Sequence, residues 1–391
     1  MTHNGEVTHN VVCDRPPDLV DGQKGQLSPP PADLIRLWSR PWSHVSDLWG
    51  RYWIIPLLPA AYTVVMFAIG DLRPEHIAIS IASAALGFGT ESTTALFVSL
   101  LPGLLLLWGS DAIRYLRPIF VTHNRILGCS MRRAELMWFS VSPNQTLQDY
   151  FAVHHSSFVD VMAAIPYGSF WIIIVGYACW LYRTDKRRLS HYLWALLLAQ
   201  TIAFVIWLAF PAAPPWYIRS HGCVIDDSTV PNAAALLRVD YLFGIHYFQD
   251  FYSRATTTFG ALPSMHCAFP MVGLLTAWRA IGWKTRPLHL LFAGSMIFAS
   301  VYLDHHWLFD GLLGWLISAV SVVVVGAILS GRIRTSGLLP HGLRRSATPF
   351  GVAIKSQAMP TVESGVSGPM TSARNWRQRR RTFRPPGRSP C

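Results

Sequence analysis

The stretch "YLDHHWLFDGLLGWL", residues 302–316, joins two long apolar runs and places Asp304, His305, His306 and Asp310 where a membrane helix begins. Ionisable groups are costly beside lipid, so a cluster of them at that depth is first of all a candidate functional site. On a helix, His306 and Asp310 stand four apart and share a face. A carboxylate so placed can accept one ring N–H and leave the other nitrogen free as a nucleophile or base.

The surrounding composition sets the fold class. The 391 residues are 51% hydrophobic and only 14% charged, with 16 tryptophans; an ordinary soluble chain carries roughly a quarter charged residues. Repeated apolar runs of about 18 residues or more read as membrane spans. We expect an all-α, polytopic membrane bundle of about eight helices, near residues 52–70, 76–89, 92–109, 160–182, 190–210, 264–281, 287–303 and 306–330. Pro102 is expected to kink the third. Residues 1–35 are polar and proline-rich, without a signal-peptide pattern, and are expected to be disordered. Residues 331–391 form a second such segment, holding eleven Arg and one Lys against one Glu, out of a net charge of +12. Such a tail suits anionic lipid better than specific nucleic acid.

Short loops rich in Lys and Arg mark the cytoplasmic side. "YRTDKRRLS" and "RAIGWKTRP" meet that description, which leaves residues 211–262 and the heads of the sixth and eighth helices on the outer face. Residues 110–159 fall there too, although Arg114, Arg117, Arg125, Arg132 and Arg133 run against the rule. A surface-lying segment or arginines used as anion ligands would account for them. Six cysteines show no metal-binding spacing; Cys129 and Cys223 could meet outside the membrane.

A second motif, "FGALPSMHCAFP" at residues 259–270, lies on the same face. Pro263 opens a helix, Ser264 stands at its start, where free N–H groups favour an anion, and His266 sits one turn in. Two histidines at one depth suit phosphoryl transfer, one attacking phosphorus and the other protonating the departing oxygen. The blander alternatives are specific. His305 and Trp307 could be interfacial anchors. A metal bound by Asp304, His305, His306 and Asp310 lacks further carboxylates at compatible spacing. His154, His155, Ser156 and Asp160 suit helix capping as well as chemistry. "FPAAPPWY" could anchor the interface, frame the site, or do both.

"PSMH" followed by "HWLFD" resembles the second and third signatures of the type 2 phosphatidic acid phosphatase superfamily. More narrowly, "FPAAPPWY", "LLRVDYLFG", "FYSRATTTFGALPSMH" and "YLDHHWLFD" resemble the inositol phosphorylceramide synthases, with "TLQDYFAVHHSSFVDVMAAIPY" a looser likeness. The resemblance spans residues 110–330 and implies a six-helix catalytic core behind N-terminal accessory helices at 36–109. It implies His306 as nucleophile oriented by Asp310, and His266 as acid and base. It also implies a double displacement through a phosphohistidine, with no metal or other cofactor. Ser264 would hold a phosphate oxygen, with Arg254 and Arg117 as cationic ligands.

Two departures bear on the substrate. The superfamily's first signature pairs a Lys with Arg-Pro; here "SDAIRYLRP" keeps Arg117 and Pro118 but has Ser110 in the lysine place. The arginine of the third signature is Ser300. Fewer cations favour a monoanionic phosphodiester donor over a phosphate monoester. The expected reaction therefore moves inositol phosphate from phosphatidylinositol to a ceramide-like or diacylglycerol-like hydroxyl. A lipid phosphate or polyprenyl pyrophosphate phosphatase on the same residues is the alternative. A transporter would need charges at mid-span and repeat symmetry, and neither is seen. The expected setting is a bacterial inner membrane with a periplasm-facing site, or a Golgi membrane with a lumenal one.

Overall fold

A computed structural model describes residues 42–331 apart from positions 227 and 256. The two segments expected to be disordered, residues 1–35 and the basic tail, lie outside the described residues.

Among the described residues the chain is all-helical, with only isolated β-bridges. The first span is not the single helix expected at 52–70. Pro56 and Pro59 interrupt it, since proline lacks the N–H that would continue the ladder. Helix α1 covers residues 42–49, two 3₁₀ turns follow at Gly50–Tyr52 and Ile55–Leu57, and α2 runs Leu58–Ala68. The two halves meet at 92°. Helix α3, Pro74–Phe88, returns against this bend, and the Trp49 indole donates to the Gly87 carbonyl at 2.7 Å.

Helix α4 begins at Glu91 as expected but runs to Phe120 rather than ending near 109, so the boundary drawn at 109/110 falls inside one helix. The reason is local compensation of Asp111. Its carboxylate accepts from the Tyr62 hydroxyl at 2.6 Å, pairs with Arg73 at 3.0 Å, and lies 3.3 Å from the His76 ring. With these partners an ionisable residue can continue an apolar helix.

The region expected to form the core follows. Helices α7, Ser157–Gly168, and α8, Phe170–Thr184, replace the expected 160–182 helix as a pair bent by 45°. Helix α9 runs Lys186–Ala209, α13 Met265–Ala277, α14 Arg286–Tyr302 and α15 Leu308–Leu329. Three helices, α4, α9 and α15, are long and apolar enough to cross a bilayer alone, and the two bent pairs bring the number to five. Helix α13 has only 13 residues, about 20 Å at 1.5 Å per residue against a hydrocarbon core of about 30 Å. It is too short to cross the core alone.

The long connections at 121–156 and 210–264 fold into short helices over one end of the core: α5, Cys129–Phe139; α6, Leu147–Val153; α10, Pro215–His221; α11, Leu237–Phe243; and α12, Tyr247–Ser253. Cys129 and Cys223 are joined by a disulfide with Cα atoms 5.3 Å apart. Arg125 donates to the Phe120 carbonyl at 2.7 Å and the Ala209 carbonyl at 3.0 Å, closing the C-termini of α4 and α9 together. A guanidinium there also meets the negative ends of both helix dipoles. Arg132 pairs with Asp149 at 2.7 Å. Two of the five anomalous arginines are thus structural ties within the cap.

The disulfide makes a direct prediction. Without reductant, a maleimide added to unfolded protein should leave Cys129 and Cys223 unlabelled while reaching Cys267, which is a free, buried thiol. Peptide mass spectrometry checks this, and both should label after reduction.

Candidate active site

The turn that carries the histidines is built by a few backbone bonds. Helix α14 ends at Tyr302, and the Ser300 carbonyl accepts the N–H groups of both His305 and His306, at 3.1 and 3.0 Å. Asp304 takes φ +66°, a left-handed conformation that Asp tolerates better than most residues. Its carboxylate is gripped by Arg219 through two bonds of 2.8 and 3.0 Å. Burial pushes the Asp304 carboxyl up, with the Arg219 guanidinium pulling it back. Helix α15 then starts with His306 at its mouth.

His306 is buried, and its Nδ1 donates to the Ala261 carbonyl at 2.9 Å. Asp310 Oδ2 lies behind, 3.6 Å from the same nitrogen, and accepts the Trp307 N–H at 2.9 Å. Committing Nδ1 in this way leaves Nε2 as the reactive nitrogen. Asp310 is fully buried, and its Oδ1 has no hydrogen-bond partner among the described residues. An under-satisfied buried carboxylate beside an imidazole is relieved when that imidazole turns positive.

His266 faces His306 with ring centroids 5.8 Å apart. Tyr167 stacks on it at 4.3 Å and Phe170 packs at 4.9 Å. The Ser264 N–H donates to the Asp310 carbonyl at 3.0 Å, tying the head of α13 to the first turn of α15. A side chain on Gly314 would collide with the Ser264 carbonyl, so glycine is what lets the two helices close. The structure thus brings His266, His306 and Asp310 together.

The proposed phosphate ligands are placed differently. Ser264 caps α13, its Oγ accepting the Cys267 N–H at 3.4 Å, and is fully buried. Arg254 is exposed at the end of α12, two residues beyond Tyr252, whose ring stacks on His305 at 4.5 Å. The Arg117 guanidinium lies 6.0 Å from the centroid of Phe259, two residues before Ala261. Ser300 is fully buried, donating to the Ile297 carbonyl at 2.9 Å and lying 3.4 Å from Cys267 Sγ. Ser110 bonds back to the Leu106 carbonyl at 2.8 Å.

Several neighbouring residues resolve otherwise than as anchors or chemistry. His305 is buried between Tyr167 and Tyr252 and bonds the Ala233 carbonyl at 3.1 Å; burial, with His306 adding to it, pushes its ring down to about 3. Trp307 is buried too, donating to the Ala213 carbonyl at 3.0 Å. Neither is the lipid-facing anchor considered from the sequence. "FPAAPPWY" frames the site: the backbone at Ala212 bridges Leu127 on one side and Gly260 on the other, and Trp216 and Tyr217 are buried. Ser156 caps α7, and Asp160 is buried against Tyr302 at 2.9 Å and Arg238 at 2.8 Å.

Sequence reasoning missed Glu135. It is completely buried and accepts the N–H groups of Leu308 at 2.9 Å and Phe309 at 3.3 Å, together with the Gln148 side-chain amide at 3.2 Å. Gln148 in turn donates to the His306 carbonyl at 3.1 Å. Burial pushes the Glu135 carboxyl up, and these donors pull it back. The free amides at the head of α15 are therefore already taken by carboxylates, whereas α13 opens beside His266. A single glutamate among arginines in "CSMRRAELMWF" is the only trace of this in the sequence.

Two substitutions test the framework. Glu135→Ala should lower stability by about 1–3 kcal/mol by orphaning buried amides, with Glu135→Gln milder, both read by thermal unfolding in detergent. Gly314→Val should cost about 1–3 kcal/mol through overpacking and depress turnover more than Gly294→Val, where nothing stands within 4 Å of an added Cβ.

Comparison with known proteins identifies the family of the chain. Residues 137–324 match the model of the PAP2 superfamily. The chain is 30% identical over 267 residues to the phosphoinositol dihydroceramide synthase of Bacteroides thetaiotaomicron, covering 66% of this chain and 86% of that one. It is 28% identical over 184 residues to the inositol phosphorylceramide synthase catalytic subunit AUR1 of Saccharomyces cerevisiae, covering 44% of each. It is also 28% identical over 179 residues to the inositol phosphorylceramide synthase of Candida albicans, covering 44% of this chain and 37% of that one. No solved structure matches. The chain therefore belongs to the inositol phosphorylceramide synthase family within the PAP2 superfamily, and it is a membrane phosphotransferase of that type.

Proposed function

We propose that the protein transfers inositol phosphate from phosphatidylinositol to the primary hydroxyl of a ceramide-like lipid, through a phosphohistidine on His306. The observation that carries this reading is the opposed pair: His306 with Nδ1 committed to Ala261, and His266 across a gap of 5.8 Å between ring centroids. In the first half, His306 Nε2 attacks phosphorus, the bond to the diacylglycerol oxygen breaks, and His266 gives that oxygen its proton. Asp310 steadies the charge on the His306 ring. In the second half, neutral His266 takes the proton of the acceptor hydroxyl, whose oxygen attacks phosphorus as the N–P bond breaks. Diacylglycerol and the inositol phosphoryl lipid leave, and both histidines are restored.

The phosphate is held at the head of α13, by first-turn amides other than that of Cys267, which Ser264 caps, with Arg254 and Arg117 as cations toward the rim. The buried Ser300 in place of an arginine supports a singly charged phosphodiester over a phosphate monoester. The burial of His306 and Asp310 supports exclusion of water from the intermediate. The disulfide supports an oxidising compartment on this face, which fits the periplasmic side of a bacterial inner membrane.

The test uses purified protein in liposomes with head-group-labelled phosphatidylinositol, with and without ceramide, in the presence of EDTA. Label should move to ceramide. His306→Ala should abolish transfer, and His266→Ala should slow it by about 10²–10⁴-fold. Release of free phosphate from phosphatidic acid or a polyprenyl pyrophosphate, with no acceptor product, would replace this reading with the phosphatase.

A further inference from the structure

The helices that carry the catalytic histidines also form a cleft at their other end. It has a volume of about 840 Å³ and lies between the start of α9, the end of α13 and the last turns of α15. Its walls are apolar, with Leu275, Val322 and Val323 among them, and three arginines line it: Arg187, Arg188 and Arg279. Asp185 is the one carboxylate in the lining, and it is paired with Arg188 at 3.0 Å. Arg187 and Arg279 are exposed, so the cleft keeps a positive mouth above an apolar body.

The floor is built rather than incidental. The His191 ring donates from Nε2 to the Val322 carbonyl at 2.9 Å, and Gly326 lets it approach, since an added Cβ there would lie 3.3 Å from the same nitrogen. This contact fixes α9 against α15 at the cleft floor. A space of this shape, with cations at one end and aliphatic walls below, matches a phospholipid with an anionic head group. The residues that follow Ser330 carry eleven Arg and one Lys against one Glu, so their charge has the same sign as the cleft mouth and does not complement it.

We infer that this cleft binds an anionic phospholipid, its phosphate between Arg187 and Arg279 and an acyl chain along the α13–α15 groove. The site is separate from the catalytic one, since His266 sits on the first turn of α13 and His306 just before α15, at the opposite ends of both helices. Occupancy would brace the spacing of those two helices from the far side.

The experiment measures thermal unfolding and native mass spectra of the full chain in detergent, titrated with phosphatidylglycerol or phosphatidylcholine. Phosphatidylglycerol should stabilise and remain bound, and phosphatidylcholine should do neither. Arg187→Gln combined with Arg279→Gln should weaken the phosphatidylglycerol effect by roughly tenfold or more, while the double Lys variant retains most of it. Val323→Trp, which fills the groove with the arginines intact, should remove it. His306→Ala should keep it in full. Equal effects of the two lipids, or a full effect in both the double Gln and the Trp variants, would overturn the inference. Loss of the effect in His306→Ala would do so as well, by placing the lipid in the catalytic chamber.

Discussion

One backbone hydrogen bond sets the distance between the two motif histidines: the Ser264 N–H to the Asp310 carbonyl, 3.0 Å long. It joins the head of α13 to the first turn of α15, and every functional group is positioned from that junction. His266 lies two residues beyond the donor, and His306 lies four residues before the acceptor. Gly314 permits the approach, and the short turn at 303–307 delivers His306 to it. A looser junction would leave two histidines at one membrane depth with nothing to hold them face to face.

The cap over this junction does two kinds of work. Glu135 and Gln148 satisfy the amides and carbonyl around His306, so the head of α15 is a fixed part rather than an anion site. Ala261, carried on the backbone bridged through Ala212, chooses the reactive nitrogen of His306. The protein thus separates positioning from chemistry. Carbonyls and carboxylates outside the signature motifs fix the His306 ring, and the motif residues His266 and His306 face each other.

Much of this was legible in the sequence because it rests on local pattern. The His306/Asp310 pair is an i, i+4 relation, and "PSMH" marks a helix start by its proline and cap. Apolar runs announce spans, and the long ones among them were found. What could not be read depends on contacts distant in the chain. Asp111 looks like the end of a span until Tyr62, Arg73 and His76 are brought beside it. Trp216, Tyr217, His305 and Trp307 have the composition of an interfacial belt, and only the cap that folds over them makes them interior. Glu135 lies 171 residues before His306 in the numbering, and no local rule connects them. The bend at Pro56 and Pro59 was visible in principle, but apolar character on both sides masked it.

The central claim is that the chain's own geometry makes His306 Nε2 the atom that carries the phosphoryl group. It is tested most directly by rapid quenching with phosphatidylinositol labelled in its phosphate, under conditions that preserve acid-labile bonds, followed by mapping of the label. The account predicts labelled phosphate on the peptide containing His306, attached at Nε2, appearing before acceptor product and cleared when ceramide is added. Label on Nδ1 or on another residue would contradict it, as would acceptor product formed at full rate with no labelled enzyme at any time.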